Sequence, residues 1–431
     1  MPSALMILGF MVLMLAGVPV SASMGLAALL GLELSGLPLA TFARYLTQDV
    51  RSVPLLAIPF FILTGNLMNR LEMTRRIFDF IDAALGFLRG GLAHASIVAS
   101  MVFGGISGSA LADLAGLGNM VIHAMRRAGY RAEFSAALMV SSSLLAPILP
   151  PSIMFIIYAV LMNVSVAHMF AAGIIPGLLL AFILIANNVL LHRLGFEVYP
   201  PYERSPPRRT LRLALAGLPA LLTPVVILRS MISGLTTPTE ASIVAVCYTI
   251  MLGLLFREVS LERLRLAFVE TARMTALVMY LTGIGTVMGF VLTSDQVATH
   301  LAHGITALTH DRWVVLALVT LALLVLGCFL ETVPAMLIGV PLFGPLVASF
   351  GIDPLQFGVV LTFALLLGII HPPVGLGLFT VCAITNLRLE SVVRASLLFY
   401  PALLLALLLF MFVPMLSTWL PSILFPGTVV Q

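Results

Sequence analysis

Apolar runs of a size that can cross a bilayer recur from one end of this chain to the other, separated by short loops that carry arginine. A helix needs about 20 apolar residues to cross the hydrocarbon core. The pattern predicts an all-α polytopic membrane protein with roughly nine spans and two re-entrant hairpins. The first span is predicted as a single helix over residues 5–32, kinked at Gly17 and Pro19.

The stretch 103–152 interrupts this pattern by placing Gly, Ser and Pro inside otherwise oily sequence. Gly and Pro leave backbone N–H and C=O groups without helical hydrogen bonds, and the hydrocarbon of a bilayer offers these groups no water. Irregular backbone is therefore tolerated only where protein or a water-filled cavity satisfies it. We therefore predict a binding site at membrane depth. It would consist of a hairpin over 91–118 with GISGSA at its tip, followed by a broken helix over 131–162.

Arginines give the orientation of this hairpin. Arg70, Arg75, Arg76 and Arg89 lie in an amphipathic stretch before it, and Arg126, Arg127 and Arg131 follow it. Positive loops favour the cytoplasmic side. A segment with both flanks on one side must enter and leave there, which is the definition of a re-entrant hairpin.

The second half repeats this order. A Pro-rich, arginine-bearing linker over 193–212, predicted to be cytoplasmic, is followed by further spans, a hairpin over 313–350 and a helix over 356–384 that is broken at HPPVG. With Arg388 and Arg394 cytoplasmic, the second hairpin enters from the opposite face. The halves 1–192 and 213–431 then form two inverted-topology repeats, the pattern of a secondary transporter with its site at the midplane. The first half has one span fewer.

Composition agrees with a membrane protein and excludes other classes. Hydrophobic residues make up 61% of the 431 and charged residues 9%, whereas a soluble domain carries about a quarter charged. The net charge of +4 comes from arginine alone, and its position in short loops indicates topology and lipid headgroups rather than nucleic acid. Cys247, Cys328 and Cys382 stand alone in apolar runs, as small core residues do.

The first tip and break offer neutral oxygens. Hydroxyl and carbonyl groups at half-helix ends, without carboxylates, suit Na⁺. The alternative is that each serine bonds back to a carbonyl of its own helix. The residues predicted for this first ion site are Ser107, Gly108, Ser109, Ser142, Pro147 and Pro150.

A mirror-related second ion site is predicted at Gly327, Thr332, His371, Pro373 and Gly375. Half-helix N-termini around one cavity favour an anionic substrate such as a carboxylate. Acidic groups at this depth are costly unless paired or wet, and Asp113 could be an ion ligand, a proton carrier or the partner of an arginine. The residues predicted to line or gate the substrate cavity are Asp113, Ser143, Ser152 and Glu331.

Other chemistries lack their signatures. No GxxxxGK[ST] loop occurs, which disfavours ATP-driven transport by this chain. The histidines show no metal-ligand spacing, and no nucleophile or metal cluster suggests an enzyme. Na⁺ is the only metal expected, and no cofactor is expected.

At these residues the chain resembles the large membrane (M) subunit of tripartite ATP-independent periplasmic (TRAP) transporters. The resemblance covers essentially the whole length and rests on PFFILTGNLM at 59–68, GGISGSALAD at 104–113, LPPSIMFIIYAV at 149–160, TPTEAS at 237–242 and PPVGLGLF at 372–379. It implies a Na⁺-coupled importer of organic acids in the bacterial inner membrane, with an elevator motion. It also implies two partners, a small four-helix membrane (Q) subunit and a periplasmic substrate-binding protein.

Two positions depart from the family pattern. The family commonly has Thr before PPVG and Asn further on, where this chain has His371 and Gly377. Either could alter the second ion site or the substrate. The acid itself stays open among C4-dicarboxylates, sialic acid, other sugar acids and keto acids, as do the ion stoichiometry and a role for protons. The competing interpretation is a stand-alone divalent-anion/Na⁺ symporter that needs no binding protein.

Overall fold

The computed structural model describes residues 2–48, 51–88, 90–197, 199, 206–306, 309–372 and 375–426. Within these ranges every regular element is helical, which confirms the all-α class. The helices are α1 (Pro2–Leu15), α2 (Val20–Leu34), α3 (Ala40–Gln48), α4 (Ala57–Arg70), α5 (Met73–Leu85), α6 (Gly91–Ser107), α7 (Ala110–Asp113), α8 (Asn119–Arg127), α9 (Ala132–Ser143), α10 (Ile153–Leu161), α11 (Val166–Arg193), α12 (Pro207–Ile232), α13 (Pro238–Leu255), α14 (Leu261–Ser294), α15 (Val297–Thr306), α16 (Arg312–Phe329), α17 (Thr332–Ser349), α18 (Pro354–Gly368), α19 (Leu376–Thr385), α20 (Leu389–Ser396), α21 (Tyr400–Phe412) and α22 (Met415–Leu424).

Seven helical segments in the described ranges are long and apolar enough to cross a membrane, and an eighth is obtained if α20 and α21, bent by 54°, count as one span. The estimate of roughly nine full spans is therefore too high for these ranges. The difference arises because several apolar runs are divided into helices of 10 to 17 residues.

The apolar run over 5–32 is divided into two helices, α1 and α2, so the prediction of a single span there is wrong. The chain reverses at Gly17, whose φ is +83°, and α1 and α2 pack side by side. A Cβ at Gly31 would lie 2.7 Å from Met6 Sδ, and one at Gly9 would lie 3.1 Å from Leu30. The two helices are thus antiparallel neighbours in a hairpin, since a glycine free to adopt positive φ permits a full turn where a proline alone would only kink the helix.

Apart from α15, which contacts both α14 and α17, the helices pack into two groups. One group, which we call the frame, comprises α1 to α5 and α12 to α14: α4 packs against α13 and α14, α5 against α12, and α14 also against α2 and α3. The other group, the core group, comprises α6 to α11 and α16 to α22, in which α9 contacts α6 and α20, and α18 contacts α16 and α21. The two groups meet where α14 packs on α17 and where α5 packs on α6.

Ion pairs fix one end of the frame. Arg70 of α4 pairs with Glu270 of α14. Glu258, in the turn before α14, accepts from Arg263 at 2.5 Å and from Arg76 at 2.8 Å. Hydrogen bonds from Arg263 and Arg76 lower the pKa of the Glu258 carboxyl. The arginine-rich stretch that the sequence indicated as amphipathic therefore forms α5, which packs against α12 and is held by Arg76 to Glu258 in the turn before α14.

Two hairpins and two broken helices make up most of the core group. In the first, α6 ends at Ser107 and α7 begins at Ala110; α7 continues through a π-helical turn, Leu114–Gly118, into α8, so the second arm runs to Arg127. Residues 144–152 separate α9 from α10. In the second half, Leu330 and Glu331 separate α16 from α17, and α18 ends at Gly368 while α19 begins at Leu376.

Each broken helix packs partly on the opposite hairpin. The second half of the first broken helix, α10, contacts α17 of the second hairpin, while α19 contacts α7, α8 and the π turn of the first. The helix that follows each break therefore packs on the hairpin of the other half. The division into inverted repeats stays a prediction of the sequence pattern.

Candidate functional site

The tips of the two hairpins line one cavity. Residues 108–111 of the first tip and residues 331–333 of the second lie around a volume of about 90 Å³, together with Pro147, Ile153 and Met154 of the first break. Ile62 of α4 and Met274, Leu277 and Val278 of α14 close the cavity from the frame side. Five residues predicted from the sequence are thereby brought together: Gly108, Ser109, Pro147, Glu331 and Thr332.

Three helix N-termini reach this cavity. α7 begins at Ala110, α10 at Ile153 and α17 at Thr332, and each of these first residues lines it. The first N–H groups of a helix have no intrahelical acceptor and carry a partial positive charge. Three such ends around one volume, with an apolar wall opposite, make a site that favours a small anion.

The first tip turns at Gly108, which has φ +59°. A Cβ at this position would lie 3.0 Å from the backbone nitrogen of Ile153 and 3.1 Å from the carbonyl oxygen of Pro151. On the other side, a Cβ at Gly65 of α4 would lie 3.3 Å from Ser107 Cα. The tip is held between the first break and the frame, and glycine is required because the backbones approach this closely.

The serines of the first half divide into two classes. Ser142 donates to the Leu138 carbonyl at 2.7 Å and Ser143 to the Val140 carbonyl at 2.8 Å, so their hydroxyl protons are used within α9, as the structural alternative expected. Ser107 and Ser141 are buried, and neither Oγ has a hydrogen-bond partner among the described residues. A buried hydroxyl without a partner costs free energy and therefore indicates room for a ligand.

Ser109 and Ser152 act as helix caps. Ser109 Oγ accepts from the backbone N–H of Ala112 at the start of α7. Ser152 Oγ accepts from Phe155 N–H at the start of α10 and donates to the Pro147 carbonyl at 2.5 Å. The peptide bond between Pro150 and Pro151 is cis. Both serines thus position the N-termini that line the cavity.

Asp113 lies at the end of α7, directly before the π turn. Its side chain is completely buried, and neither carboxylate oxygen has an aligned hydrogen-bond partner among the described residues. The buried Ser100 hydroxyl of α6 lies near the Asp113 carboxylate, although the two groups are not aligned as a hydrogen bond. π turns within helices are frequent at functional sites, and a buried carboxylate is tolerated only if a cation, a proton or a donor compensates it.

The second break is built differently. A Cβ at Gly375, which has φ +48°, would lie 3.1 Å from the His371 carbonyl and 3.3 Å from the Ile369 carbonyl. Gly377 N–H donates to Ile369 O at 2.8 Å. Backbone carbonyls therefore gather at this turn, whereas side-chain hydroxyls gather at the first. Pro373 lies outside the described residues.

His371 does not join the cavity. Its exposed ring stacks on Tyr400 with centroids 5.4 Å apart and lines an outer groove with Leu321, Val325 and Leu404. Gly327, in the last turn of α16, does not line the cavity either. A Cβ at Gly368 would lie 2.1 Å from its carbonyl carbon, so Gly327 permits the close crossing of α16 and α18. Sequence reasoning gave both residues an ion-binding role that this geometry does not test.

Several residues of the site carried no sequence signal. Met274, Leu277 and Val278 are ordinary apolar residues of a long helix, and only packing puts them on the cavity wall. Thr362 does not line this cavity, but it is fully buried in α18 with no partner for its hydroxyl among the described residues. A lone polar residue inside the apolar run of α18 could have drawn attention to it.

Comparison with known proteins decides the family. Residues 7–416 match the model for "Tripartite ATP-independent periplasmic transporter, DctM component". The chain belongs to this family. Similar proteins include the sialic acid TRAP transporter large permease protein SiaM of Vibrio cholerae, 35% identical over 97% of this chain and 98% of its own. Another is the C4-dicarboxylate TRAP transporter large permease protein DctM of Pseudomonas aeruginosa, 36% identical over 85% of this chain and 86% of its own.

The sialic acid TRAP transporter permease protein SiaT of Haemophilus influenzae is 35% identical over 97% of this chain and 68% of its own. Among solved structures, the Alcanivorax borkumensis YdaH transporter is similar in fold, with a TM-score of 0.63, 15% sequence identity and coverage of 88% of this chain and 87% of that one. This chain is a TRAP large permease and a multi-pass protein of the bacterial inner membrane. The resemblance inferred from the motifs is confirmed.

Proposed function

We propose that this TRAP large permease imports an organic acid together with Na⁺, and that the cavity between the hairpin tips holds the carboxylate of the acid. The observation that carries this proposal is the convergence of the N-termini of α7, α10 and α17 on one volume. Partial positive charges of this kind favour a carboxylate in a place where water is scarce. The acid would cross the membrane chemically unchanged, so the proposal requires no reaction on the substrate.

Two kinds of oxygen support Na⁺ as the coupling ion. The Oγ atoms of Ser107 and Ser141 are buried without partners beside the first break, and the carbonyls of Ile369 and His371 face the turn at Gly375. Na⁺ prefers neutral and hard oxygen ligands of this sort. Asp113 would then compensate cation charge near the first site or carry a proton.

The division into frame and core group supports an elevator motion. The core group carries both tips and both breaks, whereas the frame contributes apolar residues from α4 and α14 to the cavity wall. An apolar wall makes few directional bonds, so the core group can slide along it at low cost. Movement of the core group as one body would carry substrate and ions across the membrane together.

Two partners complete the proposed assembly. A periplasmic binding protein would deliver the acid, and a small membrane subunit would cover part of the frame. The frame offers apolar surface for it: Leu211, Leu215 and Val225 of α12 are 64%, 67% and 51% exposed. Relatives are named for sialic acid, C4-dicarboxylate and isethionate, so the substrate panel should cover these classes.

The test is uptake into proteoliposomes that contain this chain and its small subunit. Radiolabelled sialic acid, C4-dicarboxylates, sugar acids, keto acids and isethionate are offered with and without an inward Na⁺ gradient and the cognate binding protein. We expect uptake of one class that needs both the gradient and the binding protein. Uptake with the gradient alone would instead indicate a stand-alone symporter, and uptake indifferent to Na⁺ would remove Na⁺ from the mechanism.

A further inference from the structure

A second and larger cavity lies away from the hairpin tips, where α5, α6 and α11 meet. Its volume is about 810 Å³, within the range of ligand sites. Leu85 ends α5, Val98 belongs to α6, and Ile185 and Val189 belong to α11; these apolar side chains line one part of it. A pocket of this size with an apolar wall accommodates hydrocarbon.

Its other part is polar and basic. His94, His192, Arg193 and Tyr199 line it, and all four lie near the α11 C-terminus or the α6 N-terminus. Arg193 is exposed and has no ion-pair partner among the described residues. His94 bonds to the Asn188 amide at 3.2 Å, and His192 Nδ1 lies 3.2 Å from the Glu197 carbonyl. A free guanidinium at the mouth of the cavity attracts an anion.

Tyr199, from the linker between the two halves, closes the polar part. Its hydroxyl donates to the Asn188 carbonyl at 2.5 Å, and its ring stacks on His192 with centroids 4.3 Å apart. A Cβ at Gly90 would lie 2.5 Å from this ring, so Gly90 leaves the space in which Tyr199 sits. The polar wall is therefore a fixed structure and not an accidental gap.

The lip of the cavity is apolar and exposed. Leu88 of the cavity wall is 44% exposed, and Leu190, Leu194 and Phe196 nearby are 51%, 62% and 52% exposed. Exposed aliphatic and aromatic side chains beside an arginine are typical of the level where headgroups meet acyl chains. Because positive loops favour the cytoplasmic side, the arginines of this region place the headgroup level of the cavity in the cytoplasmic leaflet. This assignment does not depend on the proposed transport function. Basic pockets between helices on this side bind anionic headgroups.

We propose that this cavity binds one anionic phospholipid of the cytoplasmic leaflet, with its phosphate at Arg193 and its acyl chains along Val98, Ile185 and Val189. Because α5 belongs to the frame and α6 and α11 to the core group, the lipid would fill the seam between the two groups. A lipid at this place can be exchanged with the bilayer through the apolar lip.

The experiment is native mass spectrometry of the complex with its small subunit, released from nanodiscs that contain equal amounts of phosphatidylglycerol and phosphatidylcholine. We expect retained phosphatidylglycerol. Arg193→Gln should lower its retention roughly fivefold, the worth of one basic residue near a membrane surface, without changing phosphatidylcholine. The matched control is Arg265→Gln, another exposed arginine without an ion pair among the described residues.

Filling the cavity separates a pocket from a surface contact. Val189→Trp should abolish lipid retention, whereas Leu190→Trp, on the exposed side of the same helix, should not. Equal retention by wild type and Arg193→Gln would overturn the proposal, and so would unchanged retention in Val189→Trp. A third measurement is the binding of inorganic phosphate to the same variants. Phosphate binding that depends on Arg193 but survives Val189→Trp would indicate a site for free phosphate and refute the proposal of a bound lipid.

Discussion

The two hairpins cross their broken helices at similarly short range, but they bring different chemistry to the crossing. A Cβ at Gly104 would lie 2.4 Å from Ala146 Cα, and one at Gly368 would lie 2.1 Å from the carbonyl carbon of Gly327. Beside the first crossing lie buried hydroxyls that have no partner among the described residues. Beside the second lie backbone carbonyls around Gly375. Backbone proximity is therefore common to both halves, whereas the kind of polar group beside the crossing is not.

The largest expected effect comes from adding a methyl group at either crossing. Gly104→Ala and Gly368→Ala should each prevent correct assembly, because a Cβ would overlap backbone that cannot move aside; overpacking of a core costs about 1–3 kcal/mol even where side chains give way. The measurement is the fraction of monodisperse protein and its melting temperature in detergent. Gly304→Ala is the control, since no atom of the described residues lies within 4 Å of its Cβ position. Wild-type behaviour of either crossing variant would contradict the close packing.

The next effect tests the hydroxyls of the first half. Ser107→Ala combined with Ser141→Ala should raise the Na⁺ concentration for half-maximal uptake roughly tenfold or more, the expected loss when bonds to a charged group are removed. Ser109 is unsuitable for this purpose, because Ser109→Ala would also remove the cap of α7. In the control Ser142→Ala, the lost hydroxyl bonds within its own helix. An unchanged Na⁺ requirement in the double variant would exclude these two hydroxyls as ligands.

Asp113→Asn separates stability from function. The variant removes a buried carboxylate that has no aligned partner, so the folded protein should be at least as stable as the wild type. Uptake coupled to Na⁺ should nevertheless fall by roughly tenfold or more, because no charge would compensate the bound cation. Thermal unfolding and uptake are measured on the same preparation. If stability and uptake fall together, the carboxylate has a structural role.

The smallest effect is expected at His371. Its ring faces an outer groove and stacks on Tyr400, so His371→Thr should change Na⁺ dependence by less than about twofold, as surface substitutions do. Thr362→Val is the variant to compare with it, because the Thr362 hydroxyl is buried and unpaired among the described residues. A larger effect at His371 than at Thr362 would reverse our view of the second half and return the histidine to the ion site.

Much of the architecture could be predicted because hydropathy and helix breakers are local properties. The GISGSA tip, the break at LPPS and the interruption at HPPVG all lie where apolar runs contain residues that end helices. Helices end at Ser107, Ser143 and Gly368 beside these three segments. The hairpin end was predicted at 118 but lies at Arg127, because the π turn continues the helix past Gly116 and Gly118. The direction of individual side chains could not be predicted in the same way.

The sequence by itself determined that this chain is an all-α membrane protein, which segments break, and which family it resembles, since each depends on residues that are close along the chain. Helix packing, in contrast, determines that residues 5–32 fold back at Gly17 and that the exposed ring of His371 stacks on Tyr400. It also determines that the hydroxyls of Ser107 and Ser141 lack partners among the described residues, while those of Ser142 and Ser143 have them. These outcomes depend on which distant helix lies against each face. A bilayer makes nearly every face of a helix apolar, so the periodicity that identifies the buried side of a helix in water is absent here.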